Sequence, residues 1–86
     1  MSTLSQLVNI GQKLEQQLLD IGVDTPEKLK LQGSKACWLE IKHLDSSACY
    51  NRLCALEGAI QGVRWHKLPD EVKQELKEFY IHAREQ

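Results

Sequence analysis

The residues best placed to do chemistry are Asn9, Gly11, Gln12 and Lys13, in the run Leu7-Val8-Asn9-Ile10-Gly11-Gln12-Lys13-Leu14. Asn and Gly tolerate positive φ at low cost, so they suit a tight turn between two helices. A helix starting just after such a turn points unpaired N–H groups outward. Those of Gly11 to Lys13, with the Lys13 ammonium, make a candidate phosphate contact. The structural alternative is a hairpin that only joins two packed helices. A second candidate is a partner surface made from Trp38, Arg64 and Trp65, residue types enriched in interface hot spots. Its alternative is a Trp65 that plugs a helix joint, with Glu57 accepting hydrogen bonds from a loop.

Other chemistries find little support. His43, His66 and His82 are widely separated, and no H-E-x-x-H, Gly-rich phosphate loop or nucleophile elbow is present. Cys37, Cys49 and Cys54 form no C-x-x-C pair and are odd in number, which predicts reduced, packed thiols. The expectation is a non-enzymatic protein without metal or cofactor.

The net charge of −1 argues against strong autonomous DNA binding. Between residues 9 and 33, Lys13, Lys28 and Lys30 face Glu15, Asp20, Asp24 and Glu27, so the hairpin region is not basic either. No apolar run reaches the ~20 residues that span a bilayer, and the N-terminus does not resemble a signal peptide. A cytoplasmic protein is expected, with no membrane contact.

The elements that must position these residues read as all-α: a compact bundle of five to six short helices. It begins with a helix–hairpin–helix-like (SAM-like) motif, and residues 1–86 form one domain. Helix one is expected over Leu4 to Val8, capped by Thr3, and helix two over Gln12 to Ile21 with Gly22 at its C′ position. Thr25 caps the third helix, Pro26 opens it, and Leu29 and Leu31 anchor it. Ser34 is read as the cap of a fourth helix and Asp45 as the cap of a fifth, Ser46 to Gln61. Gly58 costs that helix ~1 kcal/mol against Ala, which predicts a close helix crossing there. Pro69 opens the last helix, and its end, Arg84 to Gln86, is expected to fray.

One longer pattern joins these features. Leu7-x-Asn9-Ile10-Gly11, Leu18-x-x-Ile21-Gly22-Val23-x-Thr25, Gly33, Leu53-x-Ala55-Leu56-Glu57-Gly58-Ala59 and Trp65-x-x-Leu68-Pro69 together resemble the C-terminal domain of TfoX/Sxy-like competence regulators. The match runs from about Leu4 to Phe79. The resemblance implies a small helical fold, no catalytic residue, and a link to regulation of DNA-uptake genes in bacteria. Only the C-terminal part of the two-domain regulators is present, and the chain starts at its own Met1, so a stand-alone protein is expected. The expected partner is a protein or a nucleic acid, with a second copy of the chain a further candidate.

Overall fold

A computed structural model describes residues 4–84, so the Thr3 cap and the terminal Glu85-Gln86 lie outside the described residues. Five α-helices and two 3-10 turns make up the regular structure of the described residues, and no strand occurs among them. The chain runs from a 3-10 turn (Leu4–Gln6) into α1 (Gln12–Asp20), α2 (Pro26–Gln32), α3 (Ser34–Leu44) and α4 (Tyr50–Gln61). A second 3-10 turn (Trp65–Lys67) then leads into α5 (Asp70–Arg84).

The first arm of the expected hairpin is therefore one 3-10 turn and not an α-helix. Leu7 N–H donates to Leu4 C=O at 3.0 Å and Ile10 N–H to Leu7 C=O at 3.3 Å, tight turns that leave no room for i→i+4 bonding. Asn9 follows with φ 72°, as the turn reading requires. Helix α1 ends in a Schellman arrangement: Val23 N–H reaches Leu18 C=O and Gly22 N–H reaches Leu19 C=O. Leu18 and Val23, which flank the motif, are both buried. Thr25 caps α2 as read, its Oγ1 accepting from Lys28 N–H at 3.1 Å, with Pro26 in the first turn.

Two expected caps do other work. Gly33, at φ 91°, both closes α2 and precedes α3, which places Ser34 inside α3 with its side chain buried. Asp45 ends α3, and its carboxylate draws in the N–H and hydroxyl of Ser47, the Gln17 amide and the Arg52 guanidinium. Those bonds hold residues 46–48 in a turn, so α4 begins at Tyr50 and not at Ser46.

The core forms where α3, α4 and α5 meet. Trp38 is fully buried at its centre, its ring edge-on to Phe79 (6.1 Å) and Tyr80 (5.6 Å), and its indole N–H donates to Cys49 C=O at 3.0 Å. Burial of one aromatic of this size outweighs the cost of any single polar bond around it. Leu18, Leu29, Ile41, Leu53 and Leu56 complete the layer. Leu31, expected to anchor α2, is instead 90% exposed. A helix of seven residues has one inward stripe, and Leu29 occupies it; two positions on, a side chain has turned by about 200°.

Candidate functional site

Asn9 ties the start of the chain to the link between α4 and α5. Its Nδ2 donates to Val63 C=O at 2.9 Å and, at 3.4 Å, to Ala55 C=O, while its Oδ1 accepts from Trp65 N–H at 3.2 Å. The link can take this path because Gly62 adopts a left-handed conformation after α4, φ 77° and ψ 24°, which glycine accepts without strain. Val63 N–H then folds back onto Gly58 C=O at 2.9 Å.

Gly58 lies under this junction. A Cβ on Gly58 would overlap Asn9 Nδ2, sit 2.6 Å from Val63 O and 3.3 Å from Trp65 Cα. The close approach read from the sequence is present, but its partners are the Asn9 amide and the link backbone, not a crossing helix.

This junction sorts the candidate residues. The side chain of Asn9 is engaged inside the fold, so it is not available as a phosphate contact. Gly11, Gln12 and Lys13 are exposed at the start of α1, which has no side-chain cap. Gln12 and Lys13, with Gln16 and Gln17, line a shallow hollow of about 450 Å³. Arg64 and Trp65 are also exposed, with 36% of Trp65 accessible. Trp38 has no accessible surface, so it cannot belong to the partner surface proposed with them; its size drew it into the core. Trp65 leaves about a third of its surface in solvent at the joint between α4 and α5. His66 and Lys67, which the sequence reading left out of the partner surface, are exposed on the same 3-10 turn. Their signal was the run Arg64-Trp65-His66-Lys67, three basic types around one aromatic.

Glu57 bonds neither to a loop nor to a reacting group. Its carboxylate accepts from Ser34 Oγ and from Gln61 Nε2, each at 2.6 Å. It thus places negative charge against the N-terminal turn of α3, where the helix dipole favours it. Both residues line a cleft of about 540 Å³ with Gly33, Lys35, Glu75 and Leu76, and a Lys35–Glu75 ion pair at 2.6 Å sits on it. Hydrogen bonds from Ser47, then Gln17 and Arg52, hold the Asp45 carboxyl well below the usual carboxylate range. Burial, with Glu40 adding to it, pushes the Cys37 thiol up to about 11, and burial also raises Cys54. Such thiols are poor nucleophiles at neutral pH. Among the described residues no group of three His, Cys, Asp or Glu side chains is placed to hold a metal ion. No helix among them is long and apolar enough to cross a membrane.

Residues 1–80 match the model of the TfoX C-terminal domain. The chain belongs to that family. It is 36% identical over 76 residues to Protein Sxy of Escherichia coli (strain K12), a stretch that covers 88% of this chain but only 36% of that protein. The chain thus spans about a third of the length of the curated relative it matches. Two solved structures of Listeria monocytogenes proteins, one described as uncharacterized and one as of unknown function, are similar over nearly their whole lengths. The first, a triclinic crystal form, has a TM-score of 0.92 and 51% identity, covering 94% of this chain and 92% of its own. The second, a tetragonal form, has 0.90 and 52%, covering 92% and 96%. The chain is therefore similar over most of its length to one part of a longer relative. Its family pattern acquires a physical meaning in the TfoX C-terminal fold: Asn9, Gly58 and Trp65 form one junction, and Glu57 supports α3.

Proposed function

We propose that residues 1–86 act as one non-enzymatic interaction domain in the regulation of DNA-uptake genes, binding a protein or nucleic-acid partner in the cytoplasm. The observation that carries this reading is the Asn9 junction. It bonds the turn before α1 to the backbone of Val63 and Trp65, and the Trp65 ring beside it is partly open to solvent. The polar groups that could have served catalysis, Ser34, Glu57 and Asp45, are meanwhile engaged in internal bonds.

The second reading is direct DNA contact by the hairpin, Asn9 to Lys13. With the Asn9 side chain engaged, that contact falls to the α1 N–H groups and Lys13, aided by the uncapped helix start.

The test is a reporter of DNA-uptake gene expression in a strain that depends on this chain. Arg64→Glu with Lys67→Glu should abolish the response at unchanged protein level, and Leu31→Ser, on an exposed site of α2, should not. Equal reporter output from all variants would sink the reading. A mobility shift on duplex DNA that Lys13→Glu removes, and Arg64→Glu does not, would favour the hairpin.

A further inference from the structure

The Asn9 junction carries a charge pattern that the whole-chain balance hides. Residues 9–14 and 62–69 contain Lys13, Arg64 and Lys67 and no Asp or Glu, with Glu15, Asp70 and Glu71 directly beyond them. They hold a charge of +3 in a chain of net −1, so the remaining residues carry −4. Asn9 joins the two segments through Val63 and Trp65. Gly11 is two peptide units from Asn9, at most ~8 Å away. Lys73 adds a fourth cation at the turn, its Nζ donating to His66 C=O at 2.7 Å.

Cations alone would suit any anionic partner, and the indole narrows the choice. Trp65 is 36% exposed, braced edge-on by His66 (5.8 Å, 87°), and its backbone N–H is held by Asn9. An aromatic face between cations is the arrangement on which an unpaired base stacks while the flanking phosphates meet the charges. An acidic peptide brings carboxylates but no flat π-face. In a duplex the bases are already stacked on one another and present only phosphates to this turn.

We infer that Arg64, Trp65 and Lys67, together with Lys13 and the α1 start, form a contact for single-stranded nucleic acid in which Trp65 stacks on one base. This rests on the binding-module reading above and moves the principal contact from the hairpin to the link. Three cations meeting phosphates give a slope of about −2 in log Kobs against log salt for a single strand.

The experiment is a fluorescence titration of the whole chain with a 12-nucleotide oligo(dT). Trp38 is sealed in the core, so quenching reports Trp65. Saturable quenching with that slope is expected. Trp65→Ala should weaken binding roughly tenfold or more, and Trp65→Phe should recover part of it. Arg64→Gln with Lys67→Gln, at two exposed sites, should reduce the slope by about 1.4 whatever Trp65→Ala does to folding. Three outcomes overturn the proposal: no quenching at low salt by a chain with intact helical circular dichroism, tighter binding of a matched duplex, or equal binding of polyglutamate. A reporter that responds to Arg64 and Lys67 while oligo(dT) does not bind would overturn the single-strand contact and leave the interaction domain standing.

Discussion

Gly58→Ala separates two physical effects of opposite sign. On helix propensity alone, Ala in place of Gly inside α4 stabilises by ~1 kcal/mol. The junction opposes that gain. The new Cβ overlaps Asn9 Nδ2 and approaches Val63 O to 2.6 Å, so either the amide or the link must move. Moving the amide sacrifices the bonds to Val63 C=O and from Trp65 N–H, about 2 kcal/mol at ~1 each. Forcing a carbon into a filled site costs about 2 kcal/mol more. The net is a destabilisation of about 3 kcal/mol, read as a lower urea midpoint at unchanged m. Asn9→Gly keeps the positive φ and removes the amide, which relieves one of the two overlaps. In that background the two amide bonds are already absent, and Gly58→Ala should cost about 1 kcal/mol or less. A Gly58→Ala protein as stable as the parent, or more so, would refute the crowding argument, because only propensity would then be acting.

Three further outcomes are expected. Asp45 has a folded-state pKa below its unfolded value, so its stabilisation is present above the ordinary carboxylate range near ~3.9 and is lost as pH falls through the lowered folded value. Urea midpoints below pH 4 should therefore fall more steeply for the parent than for Asp45→Asn, and parallel slopes would contradict this. Of the three thiols, exposed Cys49 should react rapidly with a thiol reagent, while buried Cys37 and Cys54 wait for unfolding; three fast thiols in native protein would exclude the packing described. Glu57→Ala leaves the buried Ser34 hydroxyl without its acceptor and should cost about 1–3 kcal/mol in chemical denaturation, whereas a neutral effect would remove Glu57 from the support of α3.

The features legible in the sequence were those set by neighbours along the chain. The Thr25-Pro26 start of α2, the Gly22 end of α1 and the close approach at Gly58 all follow from local backbone needs. Ser34 and Asp45 misled because each has the right type for a cap, yet their side chains bond elsewhere: Ser34 to Glu57, and Asp45 to Ser47, Gln17 and Arg52. The same limit applied at the candidate site. Asn9 reads correctly as a turn residue, but nothing in its neighbourhood shows that its amide is bonded 54 residues away. Trp38 and Trp65 are one residue type with opposite fates, and composition alone does not separate a core ring from an exposed one.

The span of the Asn9 bonds also sets an order of events. A contact between residues 9 and 63–65 closes a loop of 54 to 56 residues in a chain of 86, so its entropy cost comes before its reward. On a ribosome the Asn9 amide has no Val63 or Trp65 to bond until the link has emerged, whereas α2, α3 and α4 already have one another. That order predicts that the Asn9 bonds close after α2, α3 and α4 have packed. Substitutions there should leave the refolding rate nearly untouched and accelerate unfolding, which makes this single amide a control on how long the native state lasts.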